Sequence, residues 1–215
     1  MRVTKYIQGT IVLPLILSVD KSGNIKWYVD AYFAVHKDTR RHTGGFMTMG
    51  IGGAYVQYRK QKLNTKSSTE AELVVVDDVL TQVIWTQYFL KEQGYMIHDN
   101  FIYHDNQIAI RVEKNGRQLN SKRTRNINIR YYFITDRIIN QESSVEFCPT
   151  FDMIGYYFTK ALHGSQFRRF CNIVLDIHED DIPAYNAYRR YLLEKKKTKI
   201  EERERRSPGG FQTLR

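Results

Sequence analysis

Lys60-Gln61-Lys62-Leu63-Asn64-Thr65-Lys66-Ser67-Ser68-Thr69-Glu70-Ala71-Glu72-Leu73-Val74-Val75-Val76 hands a strand over to a long helix. Ser67 and Glu70 have the spacing of a capping box, in which side chains satisfy the orphan N–H groups of a helix start, so a helix is predicted from about Ser68. Gly94 supplies the matching stop signal, and the helix runs to about Glu92. Within it Glu72, Val76, Val79 and Val83 recur at helical spacing, which places one carboxylate on the apolar stripe. Glu70 faces another side, with Asp77 and Thr81, and capping and solvent suffice to account for it. A lone Glu in a first turn is ordinarily a partner of the helix dipole, bent out to water. What sets Glu72 apart is that strand-like stretches on either side each carry one Asp at or near the end, Asp30 and Asp105.

Upstream of the helix, Ile25 to Phe33 is rich in aromatic and β-branched residues and reads as a strand. Alternation puts Lys26, Tyr28, Asp30 and Tyr32 on one face and Trp27, Val29, Ala31 and Phe33 on the other. Thr43 to Met49 is a second strand, Gly50 to Gly53 its hairpin turn, and Ala54 to Gln61 a third strand. The glycines match neither phosphate-loop spacing and no helix follows them directly, so the turn reading stands. Before these strands, Ile11 to Leu17 is an apolar run broken by Pro14, suited to an edge strand or irregular packing.

Downstream, Phe101 to His104 is a fourth strand ending at Asp105, which could cap the short helix Asn106 to Lys114. Val76-Asp77-Asp78 looks like the paired aspartates of a polymerase, but those belong on a hairpin and these sit mid-helix. Ile127 to Asn140 reads as a helix, Ser144 to Cys148 as a fifth strand, and Pro149 to Leu162 leads into a helical segment. Gly164 to Asp176 is an amphipathic helix with Phe167, Phe170, Ile173 and Val174 inward. His104 lies beside Asp105, but strand alternation turns neighbours to opposite faces.

The chain has 215 residues, 42% of them hydrophobic and 13% aromatic, which is enough for a real core. Its formal charge of +10 favours a polyanionic partner, nucleic acid first. Between Arg189 and Arg206 nine Lys or Arg face four Glu, so half of the surplus lies in a tail that reads as a solvated helix or disordered arm. The densest basic stretch elsewhere holds Arg111, Lys114, Arg117, Lys122, Arg123, Arg125 and Arg130 against one acid, Glu113, and these seven are expected to bind nucleic acid by phosphate contact. Two cysteines, Cys148 and Cys171, announce neither a disulfide framework nor a zinc site. No stretch approaches about 20 consecutive apolar residues and no signal-like segment opens the chain, so a soluble, intracellular protein without a membrane partner is expected.

Three acids drawn from the first strand, the long helix and the end of the fourth strand would repel one another unless divalent cations neutralised them. Hard oxygen ligands select Mg²⁺ or Mn²⁺. Two such ions about 4 Å apart are a recurring apparatus for attack of water on a phosphodiester.

The chain resembles the ribonuclease H region at the C-terminal end of copia-type retrotransposon polyproteins. The matching residues are Val29-Asp30-Ala31, Arg41-His42-Thr43-Gly44-Gly45, the run from Lys60-Gln61 through Ser67-Ser68-Thr69-Glu70-Ala71-Glu72-Leu73, Asp105-Asn106-Gln107, Asn128-Ile129-Arg130 and Phe158-Thr159-Lys160. The resemblance covers roughly residues 1 to 176, and residues 2 to 17 resemble the last piece of the reverse transcriptase that precedes this domain. It implies three parts: a reverse transcriptase remnant over 1–20, a ribonuclease H-like α/β domain over 21–176 with a mixed five-stranded sheet flanked by helices, and a charged C-terminal arm over 177–215.

The resemblance implies that Asp30, Glu72 and Asp105 are catalytic metal ligands for two Mg²⁺ or Mn²⁺ ions, acting on an RNA–DNA hybrid. Two positions depart from the family. Tyr156 stands where the family has its fourth Asp, and Asn126 where it usually has His; both are single-base changes from the family codons. A phenol with pKa near 10 is a poor Mg²⁺ ligand, so the second metal site is expected to be defective and cleavage impaired. Asp152, one turn earlier, is expected to cap the helix. The alternative is a catalytically inactive remnant that still binds nucleic acid through backbone and 2′-hydroxyl contacts, and a third is an unselected fragment.

Overall fold

The computed structural model describes residues 2–11, 13–32, 41–65, 67–115, 125–177 and 194; for residues 2, 6, 9, 125–129 and 131 only the backbone is described. Leu15–Asp176 form one compact unit. The helix α1 (Arg2–Thr10) belongs to a second one.

Among the described residues seven strands follow α1: β1 (Ser18–Val19), β2 (Ile25–Tyr32), β3 (His42–Thr48), β4 (Gly50–Ile51), β5 (Tyr55–Lys60), then β6 (Asn100–His104) and β7 (Ser144–Phe147) after intervening helices. Those helices are α2 (Ser68–Glu92), α3 (Gln107–Asn115), α4 (Arg125–Ile139), α5 (Tyr156–Thr159) and α6 (Gly164–Leu175). Five strands form one sheet in the order β5-β3-β2-β6-β7; the first three are an antiparallel meander, while β6 and β7 run parallel to β2. This is the mixed five-stranded sheet flanked by helices that the resemblance implies.

The predicted hairpin turn Gly50–Gly53 is more than a turn. Gly50 and Ile51 pair with Val19 and Ser18 in a small second sheet, and Gly53 N–H donates to Val174 O of α6 at 2.9 Å. These partners lie 30 or more residues away in sequence, so local turn chemistry could not announce them.

The strand faces follow alternation. Ile25, Trp27 and Val29 of β2 join Ile102 and Val145 under Val75, Val76, Val79 and Val83 of α2. Tyr28, on the other face of β2, packs with Phe46 in a second cluster with Tyr156, Phe170 and Val174 of α5 and α6. Ile173, expected inward, is exposed, and Cys171 is buried on that helix instead.

Helix α2 begins and ends where its caps dictate. Ser67 Oγ accepts from Glu70 N–H at 3.1 Å. At the other end Gly94 adopts φ of 85°, open to glycine without strain; its N–H reaches Lys91 O and Tyr95 N–H reaches Leu90 O, a Schellman closure. Among the described residues α2 alone is long and apolar enough to cross a membrane, and half of that window is buried within the protein.

Candidate active site

The register of the parallel pair builds half of the site. Ile25 aligns with Asn100 and Tyr28 with Tyr103, so two further steps bring Asp30 beside Asp105 at adjacent strand ends. Neighbouring strands lie about 4.8 Å apart, within reach of two short carboxylates. The crevice outside the carboxyl ends of parallel strands is also where open α/β sheets commonly take ligands.

Glu72 completes the group from α2. The handover segment fixes its position: Gln61, fully buried, donates its N–H to Arg41 O at 2.8 Å and its side-chain amide to Ala71 O at 3.3 Å. The end of β5 is thereby tied to both β3 and the first turn of α2, one residue before Glu72. One oxygen from each of Asp30, Glu72 and Asp105 lies within 4.8 Å of the others. Glu72, not Glu70, is the inward residue, 7% exposed, and its Oε2 has no hydrogen-bond partner. The three line a cleft of about 540 Å³.

Burial and the repulsion of neighbouring carboxylates make Asp30 and Glu72 reluctant to ionise. Desolvation pushes the Asp30 carboxyl up to about 7, against the pull of Lys160 and a hydrogen bond from Thr159. Glu72 is raised well above the usual carboxylate range, first by burial and then by the charges of Asp30 and Asp105. A cation would relieve both effects, and the donor set is all oxygen, as a hard divalent ion requires. The three carboxylates therefore fit a divalent metal.

At Tyr156, where the resemblance implies a fourth Asp, the phenol is already occupied. Its hydroxyl donates to Asp105 Oδ2, and Thr150 Oγ1 donates to the same oxygen at 3.2 Å. Burial, then the bond to Asp105, raises the phenol above its ordinary value and keeps it protonated. Lys160, one turn on, places its Nζ 2.9 Å from the centroid of the Tyr156 ring and 3.8 Å from Asp30 Oδ1. Thr159 Oγ1 donates to Asp30 Oδ2. Sequence reading assigned Thr159 and Lys160 no role beyond the family match. The i, i+4 spacing of Tyr156 and Lys160 is the signal that places them on one face of a turn.

Several expectations need correction. Asp105 does not cap α3; Asn106 does, its Oδ1 accepting from Ile108 and Ala109 N–H at 3.1 Å each. Asp152 caps nothing in α5, whose N-cap is Gly155, and instead pairs with Arg169 at 2.6 Å. His104 turns away from Asp105, as alternation requires, and meets Glu113 at 3.1 Å with both side chains fully buried. Of the basic stretch, Arg117, Lys122 and Arg123 lie outside the described residues, and Arg125 and Asn126 have only their backbone described, at the start of α4. Arg111 is exposed. Lys114 pairs with Glu146 at 3.0 Å. Arg130 is held by Asp77, with Asp78 3.8 Å away, so it docks α4 on α2.

No family model matches the chain. It is 29% identical over 157 residues to the retrovirus-related Pol polyprotein from transposon TNT 1-94 of Nicotiana tabacum, and 28% identical over 173 residues to that from transposon RE1 of Arabidopsis thaliana. These matches cover 73% and 80% of the chain but only 12% of each relative's length. Among solved structures, LC11-RNase H1 isolated from compost aligns at TM-score 0.42 with 11% identity, covering 60% of this chain and 86% of that one. RNase H1 from Halobacterium salinarum aligns at 0.37 with 12% identity, covering 59% and 86%. Likenesses this distant add nothing to the strand order itself. In sequence the chain is thus similar to a part of the retrovirus-related Pol polyproteins of plant transposons, and its mixed sheet brings two carboxylates at adjacent strand ends together with a third on α2.

Proposed function

We propose that the chain is a ribonuclease H-type endonuclease that hydrolyses the RNA strand of an RNA–DNA hybrid with Mg²⁺ or Mn²⁺, and that the exchange at Tyr156 impairs it. The observation that carries this reading is the convergence of Asp30, Glu72 and Asp105 within 4.8 Å, with a buried Glu72 oxygen lacking any partner. These three residues would hold the metal. When bound, a divalent ion supplies Lewis-acid polarisation of the phosphate and lowers the pKa of water. The chain's own residues orient and balance the carboxylates: Thr159 and Lys160 on Asp30, Thr150 and Tyr156 on Asp105. Tyr156, held protonated, can donate a hydrogen bond but cannot serve as a base or an anionic ligand.

In this reading the basic residues Arg111, Arg117, Lys122, Arg123 and Arg125 meet phosphates of the hybrid. Residues 1–20 are a remnant of a reverse transcriptase connection, and residues 177–215 a charged arm, in an intracellular protein.

One observation favours a second reading, a nucleic-acid-binding remnant without activity. The hydroxyl at the fourth family position is bonded to Asp105, so a ligand is not merely absent there but replaced. Cleavage of an end-labelled hybrid by the purified chain, with Mg²⁺ and with chelator, separates the two. Metal-dependent cleavage supports the first; binding at low salt with no cleavage in Mg²⁺ supports the second.

A further inference from the structure

The acidic cleft contains a built-in cation. Lys160 Nζ lies 3.8 Å from Asp30 Oδ1 and 2.9 Å from the centroid of the Tyr156 ring. The turn that presents it is pressed close to the sheet. A Cβ on Gly44 of β3 would collide with Thr159 Cγ2, and one on Gly155 would crowd Asp30 N and Cβ at 3.2 Å. Packing therefore fixes the turn that carries Lys160, and contacts with the Tyr156 ring and Asp30 place its Nζ at the cleft.

The carboxylate oxygens are correspondingly used up. Asp30 Oδ2 accepts from Thr159, and Asp105 Oδ2 accepts from both Tyr156 and Thr150. A carboxylate that bridges two cations gives each of them an oxygen, and here each of these two aspartates has one oxygen already engaged by protein donors. Glu72 differs, with Oε2 unpartnered in a side chain more than nine-tenths buried. Charge leads to the same count. Three carboxylates are balanced by one divalent ion together with one ammonium, whereas two divalent ions beside Lys160 would leave the cleft strongly positive and poorly solvated.

We propose that the cleft binds one divalent cation, held by Asp30, Glu72 and Asp105, and that Lys160, seated on Tyr156, stands in place of a second. The proposal rests on the metal-binding reading of these carboxylates and specifies the number of ions they take. Lys160 is here a positioning and charge-balancing residue, with no bond made or broken at it.

The test counts ions. Mn²⁺ bound to the intact chain is measured by electron paramagnetic resonance, with and without an RNA–DNA duplex whose 2′-hydroxyls are methylated to prevent cleavage. One ion per chain is expected in both cases. Lys160→Met is expected to tighten that ion by about tenfold or more, the effect of removing a neighbouring like charge. The double variant Tyr156→Asp with Lys160→Met, shown to be folded by circular dichroism, is expected to take two ions. Two ions of similar affinity in the unmodified chain would overturn the proposal. So would one ion in a folded double variant, since Lys160 and Tyr156 would then not be what excludes the second. No ion at all would overturn the metal reading itself, and the proposal with it.

Discussion

At the scale of single residues, the proposed impairment of cleavage turns on Tyr156. Its phenol is bonded to Asp105 and kept protonated by burial, so it contributes a donor where an anion is expected. Tyr156→Asp should raise Mg²⁺-dependent cleavage of an RNA–DNA hybrid by at least about tenfold, equal to about 1.4 kcal/mol of barrier, with hybrid affinity nearly unchanged. An unchanged rate in a folded variant would locate the impairment elsewhere. Asp30 and Glu72 make a second claim. Both carboxyls are raised in the folded protein, Asp30 from 3.8 to about 7, so between roughly pH 4 and pH 7 the folded chain holds more protons than the unfolded one. Stability of the metal-free protein should therefore fall as pH rises through that window, each tenfold change in proton affinity being worth about 1.4 kcal/mol. Urea titrations at pH 5.5 and pH 8 check the sign: the midpoint should be lower at pH 8, recover with Mn²⁺, and depend less on pH in Asp30→Asn. A midpoint that rises with pH in the unmodified protein but not in Asp30→Asn would contradict the burial argument.

At the scale of elements, the site depends on how α5 is pressed onto β2 and β3. Gly44 leaves the space that Thr159 fills, with Gly155 O a further 3.2 Å neighbour to any added Cβ. Gly44→Ala should cost about 1–3 kcal/mol by overpacking and loosen the Thr159 and Lys160 contacts with Asp30. Thermal melts test the cost, and an unchanged midpoint would mean that α5 shifts freely. Helix α2 was legible almost to the residue because its signals are local: Ser67 at one end, Gly94 at the other, and a valine stripe between them. The acids were legible for a related reason, since alternation in β2 and helical spacing in α2 each say which way a carboxylate points. The four-residue α5 offers no periodicity beyond the Tyr156–Lys160 spacing, and what presses it onto the sheet is the close approach of Thr159 to Gly44 on β3. The β1–β4 pairing and the burial of Cys171 in place of Ile173 are likewise set by partners far along the chain. Arg130 is a further case. Composition shows a basic stretch, but only packing shows that Asp77 holds this arginine. Arg130→Ala should accordingly cost stability, about 1 kcal/mol, and leave salt-dependent binding alone.

At the scale of the whole molecule, the chain combines a formal charge of +10 with a cleft walled by three acids. Attraction of a polyanion and tolerance of its phosphates at the acidic site are opposing requirements, and a cation between carboxylates and phosphate reconciles them. The basic residues between α3 and α4 are the best placed in sequence to supply the attraction. Changing Lys122, Arg123 and Arg125 together to Ala should reduce the slope of log binding constant against log salt by about two to three. An unchanged slope would mark that stretch as a solvated face. The central claim is that Glu72, and not its neighbour Glu70, belongs with Asp30 and Asp105 in a working metal site. The most direct measurement is Mg²⁺-dependent cleavage of a labelled RNA–DNA hybrid by Glu72→Gln and Glu70→Gln side by side with the unmodified chain. The account predicts that Glu72→Gln loses at least about a hundredfold in rate while Glu70→Gln stays within about twofold, the cost of a weakened cap being structural. Equal losses in the two variants, or cleavage indifferent to Glu72, would contradict it.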